Sequence, residues 1–126
     1  MIKENLVLSS SAINKIPINQ YIEDLSKFNW EKIKIEICAM PRNDLKSPPI
    51  VVLDDFSKPI NPIIKSFKTP IESISISGQV EECSINITSL IDDNSLKWIE
   101  VNLQAPNKVS LDPILQKFNN LLRKSL

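Results

Sequence analysis

The chain has 126 residues, enough for one domain that buries roughly two-thirds of its unfolded surface without disulfides or metal. With 42% hydrophobic and 24% charged residues it has the composition of a globular protein rather than a disordered one. Fifteen basic residues balance fifteen acidic ones, which argues against nucleic-acid binding, and wholly apolar runs such as Ile50 to Leu53 are far too short to cross a bilayer.

The N-terminal MIKENLVLSSSA has only a three-residue apolar run, so it lacks a signal-peptide core, and a cytoplasmic protein is expected. Leu6 to Ser10 suits a first strand. Pro17 then opens a helix whose apolar face is Ile18, Tyr21, Ile22, Leu25 and Phe28. Its polar face carries Asn19, Gln20, Glu23, Asp24 and Lys27, with Glu23 and Lys27 at a favourable i, i+4 spacing. Trp30 closes the turn into the next strand.

From Lys32 to Met40 the chain alternates, with Ile33, Ile35, Ile37 and Ala39 on one face and Lys32, Lys34, Glu36 and Cys38 on the other. Residues 41 to 49 read as a polar, proline-rich loop. Ile50 to Leu53 is an unalternating run of the kind covered on both faces. A second helix fits Ser57 to Lys68, where Ile60, Ile63, Ile64 and Phe67 share a face, with its start near Pro59 or Pro62.

Ile74 and Ile76 keep an even phase and Cys83, Ile85 and Ile87 an odd one, so a turn separates them. A four-residue loop, Gly78 to Glu81, sets Ile76 opposite Cys83, Ile74 opposite Ile85 and Ser75 opposite Ser84. In the next hairpin, Ile87 opposite Ile99 and Ile85 opposite Val101 leave Asp92, Asp93 and Asn94 as a three-residue loop, with Asn94 in the left-handed position. The last helix has Leu111, Ile114, Leu115, Phe118, Leu121 and Leu122 inward, enters through Asp112-Pro113 or Ser110, and ends at Arg123 and Lys124. The predicted fold is α+β: a mainly antiparallel sheet with a C-terminal three-strand meander and two or three helices packed on it, in the order β-α-β-β-(α)-β-β-β-α.

Missing residue types narrow the chemistry. There is no histidine, which removes Ser-His and Cys-His nucleophile systems and histidine zinc sites, and the single glycine, Gly78, removes glycine-rich phosphate cradles. Cys38 and Cys83 lack metal-ligand spacing and read as reduced structural thiols. Twenty Ile, twelve Asn and thirteen Lys against two Arg point to an AT-rich, bacterial genome.

Two acidic pairs remain as candidates. Asp54 and Asp55 follow the apolar run, but neighbouring strand residues face opposite ways, and a hard cation needs about six oxygen ligands. A metal site or small metal-dependent hydrolase would require Glu36 or Glu100 to converge on them. Helix capping by Asp55 or Ser57 is the simpler role, and Asp92 and Asp93 are assigned to a turn. No catalytic residue, metal site or cofactor is assigned.

The outward face of the meander is the more unusual feature. It presents Ser73, Ser75, Ser77, Ser84, Asn86 and Thr88, then Trp98, Glu100, Asn102 and Gln104. Short uncharged side chains lose little entropy on contact and hydrogen-bond adaptably, as binding surfaces require. Strand 71–77, if it lies at a sheet edge, could also add a partner strand or a second copy. The expectation is a non-catalytic protein-binding module, such as a bacterial immunity or inhibitor protein, secretion chaperone or adaptor.

Overall fold

The computed structural model describes residues 1–9, 16–40, 50–57, 60–67 and 69–122. Its elements are β1 (Ile2–Leu8), α1 (Ile18–Ser26), β2 (Trp30–Ala39), β3 (Ile50–Leu53), α2 (Ile60–Ser66), β4 (Ile71–Val80), β5 (Cys83–Asp92), β6 (Ser95–Ala105) and α3 (Lys108–Leu122). The fold is α+β in the expected element order. The strands form one six-stranded antiparallel sheet in the order β1-β6-β5-β4-β2-β3. Ser10 of the first expected strand, the loop 41–49, Lys58, Pro59, Lys68, Arg123 and Lys124 lie outside the described residues.

One face of the sheet carries the core. Alternation sends Ile35, Ile37, Ile74, Ile76, Ile85, Ile87, Ile99, Val101 and Leu103 inward, where all are buried in a single hydrophobic cluster. Helix α1 adds Ile18, Tyr21, Ile22 and Leu25 to it, and α3 adds Leu111, Ile114, Phe118 and Leu122. Phe28, Leu115 and Leu121 are half-buried around them, as are Ile63, Ile64 and Phe67 at α2. Phe28 joins the layers, its ring stacked on Phe118 at 4.8 Å and tilted against Trp30 at 6.2 Å. The indole N–H of Trp30 donates to the Leu25 carbonyl at 2.8 Å, alongside the Phe28 N–H at 3.2 Å, and so holds Trp30 against the C-terminal end of α1.

A strap ties α1 to the last hairpin. Ile18 N–H donates to Asn94 O at 3.0 Å, and Leu96 N–H donates to Ile16 O at 2.9 Å. On α1 the ion pair joins Lys27 to Asp24 at 3.8 Å, one position from the expected Glu23. Helix α3 begins at Lys108, ahead of Ser110 and Asp112. Asn107 caps it, its side-chain oxygen accepting from Ser110 N–H at 3.0 Å.

Both hairpins are tighter than the sequence suggests. β4 runs on to Val80, which pairs with Cys83, so Glu81-Glu82 is a two-residue turn and Ile76 lies opposite Ile87, not Cys83. Val80 holds the even phase past Gly78, and two turn residues change parity as well as four do. Glu81 takes a positive φ of 55° to close the turn. In the second hairpin Asp92 pairs with Ser95, Ile87 lies opposite Val101 rather than Ile99, and Asp93-Asn94 is the turn. Both turn residues are left-handed, φ 51° and 58°, which is the type I′ pattern. A bulge leaves Lys97 unpaired between Leu96 and Trp98, so that Leu96 and Ile99 both face the core.

The single glycine has a packing reason. A Cβ on Gly78 would lie 2.2 Å from the Lys32 carbonyl oxygen and 2.9 Å from the Trp30 ring. β2 is bulged at this point, between Trp30 and Lys32, and Trp30 covers the gap.

Two edge assignments change. β4 lies between β5 and β2 and offers no edge; the edges are β1 and β3. Nor is β3 covered on both faces, since Ile50 is 56% and Val52 51% exposed. A short apolar run has no periodicity to distinguish a buried central strand from an uncovered edge one.

Candidate functional site: the open face of the sheet

The apolar residues of α1 and α3 join the core cluster on one face of the sheet, and no described element covers the other. The register arranges that open face in rows running across the strands. One row is Asn5, Asn102, Asn86, Ser77 and Lys34; the next is Val7, Glu100, Thr88, Ser75, Glu36 and Val52. A third continues Trp98, Leu90, Ser73, Cys38 and Ile50. Ser84 and Gln104 lie in a fourth, between Lys3 and Gln79.

The sequence-predicted residues Ser73, Ser75, Ser77, Ser84, Asn86, Thr88, Trp98 and Asn102 therefore share one surface, although their cross-strand partners differ from those the expected loops imply. Ser75 faces Thr88 and Ser77 faces Asn86. Polar side chains on the face are partly ordered by one another. Asn5 donates from its amide nitrogen to Asn102 Oδ1 at 2.6 Å and to Glu100 Oε2 at 3.0 Å, and Lys34 pairs with Glu36 at 3.1 Å. Short side chains leave two shallow depressions. One of about 310 Å³ lies over Ser75, Ser77, Asn86 and Thr88, and one of about 210 Å³ over Ser84, Asn86 and Asn102.

Sequence reasoning missed the apolar end of this face. Val7 and Leu90 are 47% and 42% exposed beside Trp98, and Ile50 and Val52 continue the same surface at the far edge. The signal for Leu90 lay in the chain, because it falls out of phase with Ile85, Ile87 and Ile91. Val7, Ile50 and Val52 could not be placed without the strand order.

The acidic candidates do not assemble. Glu36 and Glu100 share a row but stand on β2 and β6 with β4 and β5 between them, about 14 Å apart at three strand spacings. Asp55 accepts from the Ser57 backbone N–H at 3.0 Å and from its hydroxyl at 2.6 Å, an Asx turn that redirects the chain after β3. Asp54 and Asp92 are exposed, and Asp93 is in the hairpin turn. Among the described residues no three His, Cys, Asp or Glu side chains come together as a metal-binding group. Both cysteines are free, and burial raises the pKa of the Cys83 thiol, which favours the inert protonated form.

Among the described residues no helix is long and apolar enough to cross a membrane. No protein-family model matches the chain, and no curated protein matches it significantly.

Proposed function

We propose that the protein is a non-catalytic binding module that lays the open face of its sheet on another protein and occludes the surface it covers. The reading rests on one observation: a broad sheet face with no described element over it, small and polar in the middle and apolar at the Trp98–Leu90 end. Ser, Thr and Asn surrender little rotamer entropy on contact, while Trp98 and Leu90 provide the kind of apolar anchor that dominates interface energies. Fifteen positive and fifteen negative charges give no long-range preference for a polyanion. The role is that of a bacterial, cytoplasmic immunity or inhibitor protein, secretion chaperone or adaptor.

A photo-crosslinking residue at Asn86 tests this in lysate of the source organism, with Gln116 on α3 as the control. The expected result is a discrete protein adduct from position 86 and none from 116. Ser75→Lys and Thr88→Lys should each reduce capture about tenfold, the effect of one well-placed contact, with no change in thermal midpoint. Equal labelling from both positions, or capture indifferent to the lysines, would overturn the proposal.

A further inference from the structure

The two edges of the sheet are unlike. β1 carries Lys3 and Glu4, and charge on an edge strand is a common guard against pairing with another chain. β3 is Ile50-Val51-Val52-Leu53, with no charge, and Ile50 and Val52 are more than half exposed on the open face. Among the described residues β3 pairs only with β2.

We propose that β3 pairs antiparallel with β3 of a second copy of this chain, Val51 opposite Val51 of the partner subunit, joining two sheets of six strands into one of twelve. A two-fold axis perpendicular to the sheet keeps both core faces on the same side and allows only registers centred on a residue. Centring on Val52 sets Ile50 opposite Asp54 of the partner subunit, an apolar side chain against a carboxylate. Centring on Ile50 sets Ile50 opposite itself and leaves Val52 with no partner within β3. Centring on Val51 sets Ile50 opposite Val52 of the partner subunit twice over, covering on each subunit the two exposed apolar side chains of β3. The nearest charge on β2, Glu36, is already paired with Lys34 at 3.1 Å. Three residues a side, Ile50, Val51 and Val52, make a small interface, and the association is weak and reversible, in the micromolar-to-millimolar range.

Sedimentation equilibrium of the intact chain from micromolar to millimolar concentration tests the proposal. The weight-average mass should rise from the monomer value of 14.3 kDa towards twice that, and Val52→Lys or Ile50→Lys should hold it at the monomer value with an unchanged thermal midpoint. In a Cys38→Ser background, Val51→Cys should form a disulfide-linked dimer under mild oxidant. Directly opposite Cα atoms lie about 5 Å apart, within disulfide reach, and Leu53→Cys should not cross-link. A chain that is monomeric at millimolar concentration, a dimer that survives both lysine variants, or cross-linking through Leu53→Cys in preference to Val51→Cys would each overturn the pairing.

Discussion

Tyr21 and Ser89 offer a measurable test of how the core is specified. Ser89 is the one buried polar side chain among the described residues outside the hydrophobic set, and its hydroxyl is hydrogen-bonded to that of Tyr21, itself fully buried. Tyr21→Phe leaves the Ser89 hydroxyl without this partner in a fully buried site, and Ser89→Ala does the same to the phenol, so each should cost about 2 kcal/mol. Removing both leaves nothing unsatisfied and forfeits only one net hydrogen bond, about 1 kcal/mol. The double variant should thus be more stable than the summed single losses by about 3 kcal/mol, at the upper end for contacting residues. Urea unfolding reads this directly, since each single variant shifts the midpoint by about 1 M at the slope usual for small domains. Burial raises the pKa of the Tyr21 phenol, outweighing the Ser89 hydrogen bond, which lowers it. The folded protein keeps this proton at pH values where the unfolded chain has lost it. The contribution is therefore complete below pH about 10 and falls above it, by up to about 1.4 kcal/mol per pH unit. Tyr21→Phe lacks that loss, so its deficit against wild type should shrink above pH 10. Strict additivity of the two single variants, or a deficit that stays constant into alkali, would show that the hydroxyls are not a coupled buried pair.

Gly78→Ala must displace either the Lys32 carbonyl or the Trp30 ring, and should lower stability by about 2 to 3 kcal/mol in the same urea titration, with quenched or shifted Trp30 fluorescence. Asn94→Val should cost about 1 to 2 kcal/mol because a β-branched residue is forced into a left-handed backbone, whereas Asn94→Gly should stay within about 0.5 kcal/mol of wild type. Titrating magnesium, manganese or calcium should leave the thermal midpoint of the wild-type chain and of Asp54→Asn unchanged; a cation-dependent rise abolished by Asp54→Asn would restore the hydrolase reading.

The sequence was most legible where a period ran long. The apolar spacings of Ile18 to Leu25 and Leu111 to Leu122 placed α1 and α3, and alternation from Lys32 to Ala39 and from Cys83 to Ile91 fixed which side chains face the core. Parity identifies a turn but not its length. The register of β4 against β5 depended on Val80 continuing a phase interrupted by a glycine, and that of β5 against β6 on an unpaired Lys97, which hides a shift of phase inside one strand. The middle of the open face was readable because Ser75, Asn86 and Asn102 alternate with buried Ile and Val. Its margins were not, because whether Val7 or Val52 is covered depends on which strands stand at the edges, and strand order is a property of contacts between distant segments.

The place of β1 beside β6 has a consequence for how the protein is made. β1 is synthesised before the other five strands, yet its partner among the described residues, β6, is the last of the six to follow, with Leu8 pairing to Ile99 and Ile2 to Ala105. Until then the hairpin of β4 and β5 can close locally, and β2 can join it, while β1 waits as an unpaired strand ending in Leu-Val-Leu. Its Lys3 and Glu4 thus act earlier than any partner is met, by keeping a nascent apolar segment from finding the wrong edge.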